Sequence, residues 1–462
     1  MVKGLLLMLI SIISAFYISE LVGTSSDVTT NQSKRTHPII VEEPIPDLTI
    51  REGYVSQKEE SIKIVRNGKT VAEVRLGEPI MVAQAKKEEK WGFFQFPILG
   101  RALDGRLIMS WQMNADSHHA YGKGHRGEMM SLDEGKTWMP LDKGYVFKYR
   151  ASKVLEMQDG NTMIVSTPAA KDIKSYTSFP KPVYRDKSMK MDYFMESELP
   201  DELRGVYLSL RDGQGKVIRN IHGEIDDPEL LRYAIGNLMP VKWWGDIKEL
   251  SDGSLIAGIY PSCYKNNTNE LPKSDITFYK STDGGYHWSA IGRIPFKIEK
   301  LRDKSRQYDR YQGFSESTFE ILEDSTFICV ARTGYNTPMY RSYSYDRGRH
   351  WTKPEAFTPN GVKPQLLQLD NNAIALVSGR PGVQLRFCLE GDGKVWSEPI
   401  EMFPFVDVNG NYDLWGQSCG YANILPAGTN KFYMVYSDFK TKNKQGDYRK
   451  SIIFREIELI KN

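Results

Sequence analysis

Short apolar runs, rich in β-branched and aromatic residues, alternate along most of the chain with pairs of turn formers. One arrangement recurs: an apolar run, a turn such as Asp-Gly, then a longer apolar strand. It stands at Asp104-Gly105 before Arg106 to Trp111, at Asp159-Gly160 before Asn161 to Ser166, and at Asp252-Gly253 before Ser254 to Tyr260. It returns at Glu323-Asp324 before Ser325 to Arg332, at Asp370-Asn371 before Asn372 to Arg380, and at Pro426 to Gly428 before Thr429 to Ser437. Such runs between turn residues predict strands. Six units, spaced roughly 45 to 95 residues apart, predict radial repetition, in which ring closure leaves few sheet edges open.

A second signature, Ser-x-Asp-x-Gly-x-x-Trp, lies at Ser131 to Trp138, Ser281 to Trp288 and Ser344 to Trp351, with degenerate copies at Glu390 to Trp396 and around Ser209 to Gly215. Its spacing is that of a hairpin turn. The Asp carboxylate accepts backbone N–H groups, the Gly supplies a positive φ, and the Trp ring folds back on the hairpin. Its Asp is therefore structural. The fold expected is all-β, a six-bladed β-propeller with four-stranded antiparallel blades. The hairpin Ser61 to Arg75, turning at Asn67-Gly68, is expected to complete the last blade beside Lys450 to Leu459.

The first segment reads differently. Lys3 precedes an apolar run from Leu5 to Tyr17, too short for a comfortable membrane span and suited to an export signal. Residues 1–24 are read as a signal peptide or an uncleaved anchor, 25–38 as a linker, and 39–462 as the propeller. The destination is then secreted or periplasmic, with membrane contact only through that segment. Charge is nearly balanced, 61 Lys and Arg against 58 Asp and Glu, so bulk electrostatics points to no nucleic-acid partner. Cys263, Cys329, Cys388 and Cys419 show no metal-ligand spacing and are read as buried thiols, a disulfide being the alternative. No cofactor and no metal are expected.

The turn signatures, the six repeats and the intervening strands resemble the sialidase superfamily over roughly residues 60 to 460 of this chain. Gly313-Phe314-Ser315-Glu316-Ser317 is similar to that family's Asn-Glu-Ser element. Cys329-Val330-Ala331-Arg332 and Ser378-Gly379-Arg380 resemble segments carrying two of its arginines. Gly420-Tyr421-Ala422-Asn423 sits where the family has its tyrosine. The resemblance implies a retaining exo-glycosidase that removes a terminal acidic sugar from a glycan. Tyr421 would be the nucleophile, because an anionic carboxylate would be repelled by the sugar's own carboxylate. Glu316 would be its base, and Asp116, by its position after the first repeat strand, the acid. Arg332 and Arg380 would clamp the substrate carboxylate. Where the family has a third arginine this chain has Gln95, with Arg101 six residues further on.

Each residue also has a plainer reading. Glu316, Arg332 and Arg380 could be structural ion pairs, and Tyr421 could be core packing. His118, His119 and His125 could be a proton carrier or exposed loop residues, and Trp243-Trp244 a sugar platform or blade core. Two further functional classes remain beside the hydrolase: a propeller lyase acting on uronate-containing glycans, and a glycan-binding protein without catalysis. The segment 167–240 reads as an insertion able to shape the pocket.

Overall fold

The structure is a computed structural model that describes residues 47–48, 59–116, 124–142, 144–150, 153–241, 243–268, 270–300, 312–334, 337–380, 382–402 and 416–462. Residues 1–38, read above as signal and linker, and His118 and His119 lie outside them. Among the described residues no helix is long and apolar enough to cross a membrane.

The fold is all-β. Four-stranded antiparallel meanders follow one another along the chain, beginning with Phe93–Ala102, Leu107–Met113, Arg126–Ser131 and Met139–Pro140. The next comprises Val154–Glu156, Thr162–Ser166, Val206–Arg211 and Val217–Asp226. Then come Trp244–Glu249, Leu255–Tyr264, Asp275–Ser281 and His287–Ile294. Ser315–Ile321, Phe327–Arg332, Met339–Ser344 and Glu355–Thr358 form a separate sheet, as do Val362–Gln368, Ile374–Gly379, Val383–Cys388 and Ile400–Glu401. The last meander, Ala422–Gly428, Lys431–Lys442 and Tyr448–Lys461, takes its fourth strand from the N-terminal side. There Lys69–Leu76 pairs with it, Ala72 opposite Lys461 and Leu76 opposite Ile457. The hairpin expected to complete that sheet does so.

Apolar cores lie between successive sheets, because inner strands such as Phe327–Arg332 and Ile374–Gly379 are buried on both faces. One cluster joins Val377 and Phe387 to Ile424, Met434 and Leu459; another joins Val435 and Phe454 of the last meander to Leu99, Met109 and Trp111 of the first. Leu208, Ala257 and Trp288 share a further core, Phe278 with Phe319 another, and Val330 with Leu376 a third. Sheets stacked this way bury large apolar area per residue, the main driving force for the fold.

The turn signatures close as their spacing demands. In the first, Gly135 N donates to Ser131 Oγ at 2.8 Å, Thr137 N to Asp133 at 2.9 Å, and Trp138 Nε1 to Gly135 O at 2.9 Å. The Ser281 and Ser344 copies repeat the pattern, with Trp288 Nε1 and Trp351 Nε1 each 3.0 Å from a glycine carbonyl. In the degenerate copy Trp396 makes the same bond to Gly393. These hydrogen bonds hold Asp133, Asp283 and Asp346 down at about 2. The four cysteines are buried and free.

The 167–240 segment, read above as an insertion, supplies the outer strands Val206–Arg211 and Val217–Asp226 of the second meander, and the rest forms an added antiparallel sheet from Tyr184–Asp186, Met191–Met195, Leu230–Ile235 and short flanking strands. It joins the meanders where Leu230 and Leu231 pair with Tyr264 and Cys263. Its own small core contains Met191, Tyr193 and Tyr233. A buried ion pair between Glu196 and Arg232 braces it, Glu196 also accepting from Gly205 N at 2.6 Å.

Candidate active site

The candidate residues sit at one end of the strands. Glu316 opens Ser315–Ile321, Arg332 closes Phe327–Arg332, Arg380 follows Ile374–Gly379, and Tyr421 precedes Ala422–Gly428. At this end the opening strands bulge. Pairing slips between Ser315 and Thr318, between Val362 and Gln365, and on both sides of Gln95. Glu316, Lys363, Phe94, Phe96 and Arg380 all have φ between 45° and 53°, a left-handed conformation unusual for side chains of this size. Bulges and strained backbone of this kind re-aim side chains and gather at functional sites.

The result is a compact polar cluster inside the fold. Tyr421 donates its hydroxyl to Glu316 Oε1. Arg332 Nη1 donates to Glu316 Oε2 at 2.8 Å and lies 3.3 Å from the Tyr421 hydroxyl. Lys363 N completes the carboxylate's partners at 2.9 Å. Arg380 places its guanidinium 5.5 Å from the centre of the Tyr421 ring and donates Nε to Cys419 O at 3.2 Å. That approach depends on two glycines. A Cβ on Gly379 would fall 1.7 Å from Gly420 O, and one on Gly420, at φ 76°, would fall 2.7 Å from Arg380 Cγ.

All four side chains are buried: Arg332 is 0 % exposed, Glu316 and Arg380 2 %, Tyr421 7 %. Burial alone would raise the Glu316 carboxyl, but the Arg332 charge and the bonds from Tyr421 and Arg332 outweigh it and hold Glu316 down at about 2. Tyr421 goes the other way: burial and the Glu316 charge push its hydroxyl above the ordinary phenol value. The resting pair is therefore an ionised Glu316 accepting from a neutral Tyr421. Burial, with Arg332 nearby, lowers Arg380 to about 10.

Asp116 reaches the cluster through aromatic rings. Its Oδ2 accepts from Trp91 Nε1 at 3.0 Å, Trp91 meets Phe96 edge-on at 6.5 Å, and Phe96 meets Tyr421 edge-on at 4.9 Å. Gln95 is fully buried beside them. Its Oε1 accepts from Gly92 N at 2.8 Å, and its Nε2 has no partner. Arg101 lies apart, toward the Asp104-Gly105 turn at the other end of the same strand. Its guanidinium is engaged by Glu134 through two bonds of 2.9 and 2.8 Å and by Gly105 O at 2.9 Å. His125 is exposed, and Trp243 packs edge-on against Trp288 at 4.6 Å as core.

Two residues escaped the sequence reading. Tyr260 is buried, and burial and then the charge of Glu316 push its hydroxyl above the ordinary phenol value, so it lies within the field of the pair. It lies eight residues after Asp252, as Arg332 lies eight after Asp324 in the next repeat, so aligning the repeats would have found it. Trp91 gave no such signal, since its role depends on the bulged turn that follows it. Among the described residues no group of His, Cys, Asp and Glu is arranged to hold a metal ion.

No protein-family model matches the chain. No curated protein matches it either. Among solved structures, a protein of unknown function from Dyadobacter fermentans is similar at 17 % identity with a TM-score of 0.56, over 83 % of this chain and 99 % of that one. The two share a fold. A Hadza microbial sialidase aligns at 15 % identity and TM-score 0.48, over 87 % of this chain and 72 % of its own. A Penicillium chrysogenum α-L-arabinanase bound to arabinobiose aligns at 12 % and 0.42, over 82 % and 98 %.

Proposed function

We propose that the chain is an exported, six-bladed β-propeller glycosidase that removes a terminal acidic sugar from glycans with retention at the anomeric carbon. The meanders are its blades, and the core shared by the last and first sheets supports ring closure. The observation that carries the reading is the buried Tyr421–Glu316 hydrogen bond with Arg332 bonded to both groups.

Tyr421 attacks the anomeric carbon as its proton passes to Glu316. A carboxylate at about 2 is a weak base, and the sugar's carboxylate corrects this. Brought against Arg332 and Arg380, it competes for the Arg332 charge, which raises the proton affinity of Glu316 as the reaction begins. Asp116 protonates the leaving oxygen, and Trp91 orients it. Gln95 stands where a third cation is expected by resemblance, and its free Nε2 offers a neutral donor to the sugar.

The test is release of a fluorophore from an N-acetylneuraminic acid glycoside by residues 25–462. Turnover by the wild type is expected, with Tyr421→Phe slower by about 10³-fold or more. Equal rates would remove Tyr421 from the chemistry. No release from the sialoside, with formation of an unsaturated uronate by β-elimination from a uronate-containing glycan, would make the chain a lyase.

A further inference from the structure

The strand Lys431–Lys442 runs on past the site. Its Tyr436 stands opposite Ala422, the residue after Tyr421, and six further residues carry it beyond the level of Tyr421. The chain turns between Asn443 and Asp447 and returns as Tyr448–Lys461, with Lys442 opposite Tyr448. This hairpin is tied to the site at its base. Phe439 N donates to Gln417 O at 2.8 Å and Gln417 Nε2 to Asp438 Oδ1 at 3.1 Å, which fixes it to the segment leading into Tyr421. The Phe439 ring meets Trp91 edge-on at 6.2 Å, and Trp91 holds Asp116. Lys450 Nζ lies 4.6 Å from the centre of the Phe439 ring and 6.0 Å from that of Trp91, and it donates to Lys90 O at 2.7 Å. The hairpin therefore rises from the side of the site on which Asp116 stands.

Its outer part is aromatic, basic and exposed. Tyr448 is 54 % exposed, and Lys440 Nζ and Lys442 Nζ lie 5.6 and 5.7 Å from the centre of its ring. Residues 438–450 carry five Lys and Arg against two Asp, in a chain whose totals are nearly equal, so the excess of positive charge is concentrated here. Both acids are engaged. Asp447 accepts from Arg449 Nη2 at 2.8 Å, and Asp438 accepts from Gln417 and from Lys440 N at 2.8 Å. Among the described residues neither Lys440 nor Lys442 is ion-paired. An exposed ring framed by ammonium groups suits a ligand with an apolar face and negative groups at its edge. An acidic sugar has both.

We propose that the hairpin Phe439 to Lys450 is a subsite for the leaving-group side of the substrate, where Tyr448 stacks on a sugar ring beyond the scissile bond and Lys440 and Lys442 hold that sugar's carboxylate or sulfate. The substrate is then an acidic sugar at the end of an acidic chain. Position decides the side: Asp116 faces the leaving oxygen, and Phe439 and Lys450 pack on the Trp91 ring that holds it. The assignment rests on the glycosidase reading of the site.

Titration calorimetry with three tetrasaccharides tests it: a sulfate-rich heparin fragment, an oligogalacturonate carrying carboxylates alone, and neutral cellotetraose. At least one acidic ligand is expected to bind about tenfold more tightly than cellotetraose, and the tighter of the two names the acidic group. Lys440→Gln/Lys442→Gln should lose that preference. Tyr448→Ala should weaken the acidic ligand by about fivefold while Tyr448→Phe keeps it. All three side chains are exposed, so the variants should melt with the parent. Equal binding of the three ligands, or binding of none, overturns the subsite, as does a preference that survives in the double variant. So does a tetraglutamate peptide that binds as tightly as the acidic sugar, or recruitment to phosphatidylserine vesicles that the double variant loses, which would make the hairpin a membrane contact. The titration needs no turnover: an inactive protein with the preference fails only the glycosidase reading, and an active one without it fails only the subsite.

Discussion

At Glu316 and Arg332 two opposite charges are buried together, and their energetics separate structural from chemical roles. Removing one partner leaves the other uncompensated, at a cost of about 3–5 kcal/mol. Glu316→Gln is therefore expected to lower stability by about that amount in urea melts, because Arg332 is 0 % exposed and stays charged. Tyr421→Phe deletes one hydroxyl whose partner keeps its bond from Arg332, so about 1 kcal/mol is expected. A stable, inactive Tyr421→Phe beside a destabilised Glu316→Gln is the pattern to look for. Arg101→Gln is the control, since its partner Glu134 is largely exposed. Turnover should not change and stability should fall by no more than about 1 kcal/mol. Arg101 lies near Gln95 in sequence, but its offset of six residues speaks against its taking the place of the missing arginine. Along a strand that is nearly its full length, and it carries the two to opposite ends.

The turn signatures show how much of an element its own residues specify. Ser131, Asp133, Gly135 and Trp138 satisfy one another within a few residues, so their geometry was readable without tertiary information. They also carry a pH dependence. Asp133, Asp283 and Asp346 stand at about 2 when folded, below the ordinary value near 4. A depressed folded value stabilises above the unfolded value and is lost as pH falls through the folded one. Urea midpoints should therefore drop between about pH 4 and pH 2. Changing all three residues to Asn should flatten that drop. The tryptophans differ by burial. Trp288 is fully buried, and Trp288→Ala should cost about 3–5 kcal/mol, more than Trp138→Ala, whose ring is partly exposed.

For the whole molecule, the strand Lys69–Leu76 matters out of proportion to its length. It covers the edge of Tyr448–Lys461, and Ala72, Val74 and Leu76 are fully buried in the core that also holds Met434 and Leu459. A chain beginning at residue 80 would expose a long apolar strand edge, the feature that recruits other chains. It should unfold at lower urea and aggregate on concentration, as light scattering would show. A truncated chain as stable and monomeric as the parent would mean that the hairpin only decorates the sheet.

Strand character, the turn signatures and the pairing of the two chain ends were legible from the amino-acid sequence, since each depends on spacing of apolar and turn residues within or between short runs. The same reading named Glu316, Arg332, Arg380 and Tyr421 by resemblance. Tertiary structure alone decided that these four share one buried cluster, that Arg101 is elsewhere, and that Tyr260 and Trp91 belong beside it. The physical reason is range: hydrophobic pattern and turn chemistry act over a few residues, whereas charge, desolvation and backbone bulges act between strands whose neighbours only the packing of sheets can choose.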